Sequence, residues 1–170
     1  MRTGTDSLIT IRKLRREDKE PIQRILEETD VFTSEEIGVA VELIDICLND
    51  ADQQDYEIVT AADGSETVGY ICTGATPLTA GTFDLYWIAV KPSRHSQGIG
   101  RQLLRHAEED ILSKGGRLLI SETSSMATYE PTRLFYVKNG FREVARIRDY
   151  YKKEDDLLIY GKYLSQSEGT

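Results

Sequence analysis

The junction of strand, loop and helix at residues 83–101 constrains the fold of this chain more than any other segment. Residues 83–90 are rich in apolar, aromatic and β-branched side chains, which predicts a strand. A polar loop follows, and apolar residues recur at helical spacing from Ile99 onward. Gly98 and Gly100 lie where this helix begins. Because the first turn of a helix presents free N–H groups and a positive dipole end, the junction predicts an anion-binding site.

Two common nucleotide-binding motifs do not fit this junction. The dinucleotide fingerprint needs a third glycine three residues after the second, and Leu103 occupies that position. That fingerprint also follows the first strand of a βαβ unit, whereas three strands with antiparallel character precede this loop. No Gly-Lys-Ser or Gly-Lys-Thr is present, so the loop is not a P-loop of a nucleotide triphosphatase.

The hydrophobic pattern predicts seven strands and four helices around the junction. Strands are expected at 8–14, 56–62, 67–75, 83–90, from 118, at 141–148 and at 157–163. Helices are expected at 17–28, 33–48, 99–114 and 131–139. The expected fold class is α/β (α+β), with a mixed central sheet of about seven strands in the order β-αα-βββ-α-β-α-ββ and helices on both faces. We expect one domain at 1–164 and a flexible tail at 165–170, because no linker or repeat interrupts the 170 residues.

The charges along the chain are unevenly distributed. The sequence has 21 basic and 29 acidic residues, a formal net charge of −8, which argues against a nucleic-acid-binding surface. No Lys, Arg or His occurs between Arg24 and Lys91, whereas fourteen carboxylates lie between Glu27 and Asp84. The rest of the chain therefore carries +6. An acidic block of this kind would attract cationic ligands and repel anions.

The cysteines and histidines predict no disulfide and no metal site. Cys47 and Cys72 both lie in apolar patterns, which favours packing as reduced side chains. His95 and His106 are eleven residues apart without a clustered third ligand, so their spacing does not match a metal site. No signal peptide and no apolar run of about 18 residues is present, so we expect a cytoplasmic protein that makes no membrane contact.

Two blocks of the sequence resemble the GCN5-related N-acetyltransferase (GNAT) superfamily. The family pattern Arg/Gln-x-x-Gly-x-Gly/Ala is matched by His95-x-x-Gly98-x-Gly100. The later segment at 133–141, Arg-Leu-Phe-Tyr-Val-Lys-Asn-Gly-Phe, is similar to the family block Leu-Tyr-x-x-x-Gly-Phe. The predicted order of elements is also that of the family, so the resemblance extends over essentially the whole chain and implies a single GNAT-like domain.

The resemblance implies acetyl coenzyme A as co-substrate and no metal. In this family the pyrophosphate lies on the backbone amides of the glycine loop, and the pantetheine arm pairs with the fourth strand like an added strand. The cofactor-binding residues implied in this sequence are Ile88, Ala89, Val90, Arg94, Ser96, Gln97, Gly98, Ile99, Gly100 and Arg101.

The resemblance also implies catalytic residues for direct acetyl transfer to an amine. Tyr136 occupies the position of the general acid that protonates the departing thiolate. For the base, Glu122 resembles the acid of ribosomal-protein N-terminal acetyltransferases, and Asp84 resembles the carboxylate of histone-type members. Tyr86, a water relay or the absence of a dedicated base remain alternatives. Departures from the pattern occur at His95 and at Tyr129, where the family often has asparagine.

Two functions remain open at this stage. The first is an N-acetyltransferase whose acceptor is a primary amine on a small molecule, a protein N-terminus or a lysine. The second is a module of the same fold that binds acyl coenzyme A as a sensor or scaffold without turnover. Neither involves nucleic acid or a membrane, and both are compatible with a homodimer.

Overall fold

The structure is a computed structural model that describes residues 8–165. The strands of this part of the chain are β1 Ile9–Lys13, β2 Glu57–Asp63, β3 Glu66–Ala75, β4 Thr82–Val90, β5 Leu118–Ser124, β6 Arg142–Lys152 and β7 Asp155–Tyr163. The helices are α1 Lys19–Glu28, α2 Ser34–Asn49, α3 Ile99–Ser113 and α4 Glu130–Lys138. The predicted order of elements is confirmed. The predicted tail lies outside the described residues from residue 166 onward.

The seven strands form one mixed sheet in the order β1-β2-β3-β4-β5-β7-β6. The pairs β1–β2, β5–β7 and β6–β7 are antiparallel, whereas β4 and β5 are parallel. A parallel pair needs a crossover connection, and α3 lies between these two strands in the chain. The predicted α/β class with a seven-stranded mixed sheet is therefore confirmed.

The chain divides into two compact units, each assembled from separate segments. Within the described residues, unit 1 comprises residues 8–53, 58–71 and 88–104, and unit 2 comprises residues 54–57, 72–87 and 105–165. The largest fully buried side chains of unit 1 are Ile22, Leu26, Ile44, Val68, Tyr70, Ile71, Ile99, Leu103 and Leu104. Those of unit 2 are Ile111, Leu119 and Phe141.

Local sequence signals place three of the helix ends. The capping box predicted for α2 is present: the Thr33 hydroxyl accepts from the Glu36 N–H at 3.2 Å, and the Glu36 carboxylate accepts from the Thr33 N–H at 2.7 Å. Helix α4 has Pro131 in its first turn, where a missing N–H costs little. Gly140 follows α4 with a φ of +88°, which lets the chain leave the helix in the left-handed region.

The start of α1 lies two residues later than predicted, because residues Arg16–Asp18 form a 3₁₀ turn around a buried carboxylate. Asp18 is fully buried in unit 1. It accepts hydrogen bonds from both terminal nitrogens of Arg12, at 2.7 and 2.9 Å, and from the hydroxyl of Thr67. Burial alone would raise the pKa of Asp18, but these hydrogen bonds outweigh it and hold the pKa below its ordinary value.

The hairpin of β6 and β7 extends further than the sequence predicts. Residues 149–156, which are mostly charged or polar, lie between the strands predicted at 141–148 and 157–163. Here the Asp156 carboxylate accepts from the Asp149 N–H at 2.9 Å, and the Asp149 carboxylate accepts from the Glu154 N–H at 2.6 Å. These side chains satisfy backbone donors where the register of the two strands shifts, so pairing resumes at Lys152.

Among residues 8–165, no helix is long and apolar enough to cross a membrane.

Candidate active site

The loop between β4 and α3 in unit 1 has the backbone geometry of an anion site. A 3₁₀ turn at Pro92–Arg94 follows β4, and the His95 ring donates from Nε2 to the Val90 carbonyl oxygen at 2.8 Å. Ser96 and Gly98 then adopt positive φ values of 62° and 79°. This chain reversal directs the loop into the first turn of α3. The contact of His95 with Val90 is structural and does not resemble a metal site.

The N-terminus of α3 has N–H groups available for a ligand. The first helical hydrogen bond of α3 runs from the Gln102 N–H to the Gly98 carbonyl oxygen at 3.1 Å. N–H groups that precede this bond have no carbonyl four residues earlier within the helix. A Cβ built on Gly98 would meet no atom within 4 Å, so the space beside this backbone is open. The loop therefore offers the close backbone approach that a phosphate needs.

The basic side chains around the loop differ in whether they form hydrogen bonds or ion pairs with other side chains. The Arg94 guanidinium donates to the Asp63 carboxylate at 2.8 Å and to the Gln97 side chain at 2.9 Å. The Arg101 side chain is exposed at the first turn of α3. Lys91 forms an ion pair with Glu66 at 2.5 Å. Arg94 and Arg101 are the two arginines predicted to contact the cofactor. Arg94 holds the loop in place through its two hydrogen bonds, whereas the guanidinium of Arg101 is exposed to solvent.

Several predicted cofactor contacts can involve only the backbone. Ile99 is buried to 1% exposure and Ala89 to 6%, so their side chains belong to the core. Ser96, Gln97 and Gly98 are exposed. Ile88, Val90 and Gly100 are half-buried.

Strand β4 loses its parallel partner part-way along its length. The register with β5 pairs three positions, from Thr82 opposite Leu118 to Asp84 opposite Ile120, while β4 continues to Val90. Backbone groups beyond the last pair are available for an extended ligand to pair with, as in β-strand addition.

Tyr136 lies in the buried part of α4 in unit 2, where it is 4% exposed. Its ring packs against those of Phe141 and Tyr160, with centroids 5.2 and 5.8 Å away. Its phenol oxygen accepts a hydrogen bond from the Ser121 hydroxyl at 2.8 Å. The Ser121 hydroxyl also lies 3.4 Å from the Leu85 carbonyl oxygen, so Tyr136 belongs to a short chain of polar groups that runs from α4 through β5 to β4.

The protonation state of Tyr136 suits an acid. Burial raises the pKa of Tyr136 to about 12, although the hydrogen bond from Ser121 acts in the opposite direction. The phenol therefore stays protonated throughout the physiological range.

The two candidate base residues have different surroundings in unit 2. Glu122 is exposed on β5, immediately after Ser121. Asp84 is half-buried, and its carboxylate accepts from the Thr76 hydroxyl at 2.7 Å. The Tyr86 phenol lies 3.5 Å from the same carboxylate oxygen. Asp84 is therefore oriented by neighbours, whereas Glu122 extends into solvent.

Sequence reasoning missed Ser121 and Thr76. Ser121 lies fifteen residues before Tyr136, and only the packing of α4 on β5 brings the two hydroxyls together. Thr76 lies eight residues before Asp84, directly after β3. Such spacing is typical of residues that face each other across a hairpin, and this was the available signal.

Within residues 8–165, no three His, Cys, Asp or Glu side chains converge in a way that could hold a metal ion. His106 is exposed on α3. Tyr129, where the family often has asparagine, ends the 3₁₀ turn Ala127–Tyr129 before α4.

Comparison with known proteins decides the family. A family model described as an acetyltransferase (GNAT) domain matches residues 54–143, which include the glycine loop, both candidate bases and Tyr136. The chain belongs to the GNAT acetyltransferase family. It is accordingly an acyltransferase, and its single α/β domain is the fold of that family.

Relatives of this acyltransferase support the assignment. An uncharacterized N-acetyltransferase of Bacillus subtilis, YsnE, is 30% identical over 103 residues, which cover 61% of this chain and 67% of YsnE. The crystal structure of a putative GNAT-family acetyltransferase from Desulfovibrio desulfuricans is 41% identical, covers 93% of this chain and 100% of that chain, and has a TM-score of 0.87. The PaiA N-acetyltransferase of Thermoplasma acidophilum, solved with coenzyme A, shares the fold at 24% identity, with a TM-score of 0.70 and coverage of 92% and 99%.

Proposed function

We propose that this protein transfers the acetyl group of acetyl coenzyme A to a primary amine by direct attack. The observation that carries the proposal is the buried phenol of Tyr136, which hydrogen-bonds to the Ser121 hydroxyl and stays protonated, so that it can supply a proton to a leaving group. Family membership supplies the reaction class, and the loop before α3 supplies a site for a polyanionic co-substrate.

The backbone of unit 1 would hold the co-substrate. The N–H groups from Ser96 to Arg101 bind the pyrophosphate, and Arg101 adds a mobile positive charge. Backbone groups of Ile88–Val90 pair with the amides of the pantetheine arm. The open space beside Gly98 supports this assignment, because a ligand can approach the backbone closely there.

The side chains of unit 2 would handle the protons. Asp84 or Glu122 takes one proton from the acceptor ammonium, directly or through water, and so exposes the nitrogen lone pair. A nitrogen–carbon bond then forms at the acetyl carbonyl, and the carbon–sulfur bond breaks. Tyr136 donates its phenol proton to the departing thiolate and recovers a proton from solvent before the next cycle. The nitrogen then gives its second proton to solvent, and the carboxylic acid releases the first one. The products are an acetamide, the free thiol and one proton released to solvent.

We further propose that the acceptor is cationic and that the protein works in the cytoplasm. The acceptor class remains a small amine, a protein N-terminus or a lysine. The acidic block between Glu27 and Asp84 supports a cationic acceptor, because it contains no base to repel one. Reduced Cys72, buried in the sheet, supports a reducing compartment.

A melting experiment followed by a turnover assay tests the proposal. Acetyl coenzyme A at a hundredfold excess over its dissociation constant should raise the free energy of unfolding by about 2.7 kcal/mol. Release of thiol should then depend on added amine, measured across a panel of alkylamines, peptide N-termini and lysine peptides. No melting shift would contradict co-substrate binding. A melting shift without thiol release for any amine would favour a binding module.

A further inference from the structure

Helix α4 is attached to β5 and the turn after it at two points on one face. Arg133 and Tyr136 are three residues apart, so their side chains lie on the same side of the helix. Tyr136 hydrogen-bonds to the Ser121 hydroxyl at 2.8 Å. About one turn earlier, Nη1 of Arg133 donates to the carbonyl oxygens of Ser124 and Met126, at 2.8 and 2.9 Å. The Arg133 contacts therefore limit how far α4 can rotate or slide over β5, and they limit the movement of the phenol with it.

A buried carboxylate on β7 holds the backbone that receives Arg133. The Ser124 hydroxyl donates to the Asp155 carboxylate at 2.5 Å and accepts from the Met126 N–H at 3.0 Å. Asp155 is 6% exposed and Ser124 is 8% exposed, so this hydrogen bond is shielded from water. The two bonds fix the path of the chain directly after β5, where the carbonyl oxygens bonded by Arg133 lie. The contacts therefore run from β7 through β5 to α4.

Arg133 makes these contacts without a charged partner. Among residues 8–165, no carboxylate lies within ion-pair distance of its guanidinium. The planar guanidinium presents its N–H donors in fixed directions, so bonds to two backbone oxygens define its orientation. Positioning of α4, and not neutralisation of a nearby charge, is the role that these contacts explain.

The neighbouring carboxylate of Asp156 serves a different element. It accepts from Nε of Arg146 at 2.6 Å and from the Asp149 N–H at 2.9 Å, both in β6. The Asp156 backbone exchanges hydrogen bonds with Ser125: the Ser125 N–H donates to the Asp156 carbonyl oxygen at 2.9 Å, and the Asp156 N–H donates to the Ser125 hydroxyl at 2.8 Å. Two adjacent carboxylates thus have separate tasks: Asp155 supports α4, whereas Asp156 holds β6.

We propose that Arg133, Ser124 and Asp155 form a clasp that positions the phenol of Tyr136 for proton donation. This inference rests on the proposed acid role of Tyr136 and adds three positioning residues to it. Catalysis by a positioned group depends steeply on geometry, and a displacement of about 1 Å can lower the rate about 10²-fold. Loosening the clasp should therefore slow turnover through Tyr136 and leave the binding of acetyl coenzyme A unchanged.

An NMR experiment tests the clasp without requiring turnover. Protein labelled with carbon-13 in its tyrosine rings gives a Tyr136 signal, which Tyr136→Phe identifies by its loss. Arg133→Met removes the guanidinium and keeps an unbranched side chain. Arg146→Met is the matched control, because Arg146 bonds to Asp156 and not to the support of α4. We expect Arg133→Met to shift the Tyr136 signal and to speed the flipping of its ring, and Arg146→Met to leave both unchanged. An unchanged Tyr136 signal in Arg133→Met, or equal changes in both variants, would overturn the proposal.

Variants of Asp155 separate orientation from charge. Asp155→Asn keeps an oxygen that can accept from the Ser124 hydroxyl, whereas Asp155→Ala removes it. We expect kcat to fall at least about tenfold for Asp155→Ala and to stay within about threefold of wild type for Asp155→Asn, with the KM of the amine unchanged in both. Equal losses in the two variants would show that the negative charge is what matters, which would contradict a positioning role.

A double-mutant cycle shows whether the clasp acts through the acid. Arg133→Met alone should lower kcat at least about tenfold, with less than about a twofold change in the Kd of acetyl coenzyme A. The same substitution added to Tyr136→Phe should cause no further loss, because the group that it positions is already missing. A loss of equal size in both backgrounds would overturn the proposal. Absent thiol release by the wild type would instead contradict the proposed function, and the NMR comparison would still decide the clasp.

Discussion

The two units of the molecule build their proposed sites from different parts of the polypeptide. In unit 1, the loop before α3 presents backbone N–H groups, and two positive φ values determine their direction. In unit 2, the site consists of side-chain hydroxyl groups and one carboxylate, contributed by β4, β5, α4 and the residue that follows β3. The first depends on the path of the main chain, whereas the second depends on which side chains meet.

This difference teaches where each site is sensitive to mutation. A backbone site tolerates a change of side chain but not a change of φ, because φ directs the N–H groups. A side-chain site is sensitive to replacement of the side chains themselves, because its hydrogen bonds join particular hydroxyl and carboxylate groups. Each unit also contains a buried polar pair: the ion pair of Arg12 and Asp18 in unit 1, and the neutral pair of Ser121 and Tyr136 in unit 2.

The largest expected effect compares these two buried pairs. Asp18→Ala leaves the Arg12 guanidinium without its partner and should lower the free energy of unfolding by about 3–5 kcal/mol. Ser121→Ala removes a neutral hydrogen bond and should lower it by about 1 kcal/mol. Urea unfolding followed by the fluorescence of Trp87, the single tryptophan, measures both.

The pH dependence of the Asp18 effect checks its origin. Because the pKa of Asp18 is lowered on folding, its contribution is present above the ordinary carboxyl pKa of about 4 and is lost as pH falls through the lowered value. The difference in the free energy of unfolding between wild type and Asp18→Ala should therefore be largest at pH 7 and become smaller in acid. A difference of equal size at all pH values would show that packing, not charge, is responsible.

An effect of intermediate size is expected for Gly98→Ala, and Gly64→Ala is the matched control variant. Both glycines have positive φ, at 79° and 58°, and a Cβ on either meets no atom within 4 Å. Each substitution should lower stability by about 1–2 kcal/mol through backbone strain. Only Gly98→Ala should raise the Kd of acetyl coenzyme A, by about tenfold, in an isothermal titration. If the two variants bound equally well, the loop would not be the anion site.

The smallest effects separate the two arginines of the loop. Arg101→Gln should raise the Kd of acetyl coenzyme A about two- to fivefold and reduce its dependence on salt, because an exposed cation acts through screened attraction. Arg94→Gln should lower the melting temperature instead, because its guanidinium is engaged with Asp63 and Gln97. Titrations at two salt concentrations, together with melting curves, distinguish the variants. If Arg94→Gln raised the Kd of acetyl coenzyme A and Arg101→Gln lowered the melting temperature, Arg94 would leave Asp63 to contact phosphate.

The backbone site was predictable from the sequence because its determinants are local. Glycine spacing after a strand indicated the turn at Gly98, and the capping box indicated the start of α2. The positive φ of Ser96 carried no comparable signal, since serine rarely adopts that conformation. The engagement of Arg94 was also hidden, because its partner Asp63 lies thirty-one residues earlier in the chain.

The side-chain site was only partly predictable, because some of its contacts join residues that lie far apart in the sequence. Tyr136 and Asp84 were identified through the resemblance of their surrounding motifs. Ser121 was missed because tertiary packing alone brings it to Tyr136. Thr76 was missed although its eight-residue spacing from Asp84 across the β3–β4 hairpin was a usable signal. The strands predicted at 141–148 and 157–163 were too short, because carboxylates at 149–156 satisfy backbone donors and prolong the hairpin.

The most direct test of the central claim is thiol release by Tyr136→Phe under saturating acetyl coenzyme A and amine. Tyr160→Phe is the matched control, since it removes another buried phenol from the same cluster of rings. We predict that kcat falls about 10²–10⁴-fold for Tyr136→Phe, with an unchanged Kd for acetyl coenzyme A, and stays near wild type for Tyr160→Phe. Because the pKa of Tyr136 is about 12, the loss should persist at every pH from 6 to about 10. Equal rates for wild type and Tyr136→Phe would contradict the account.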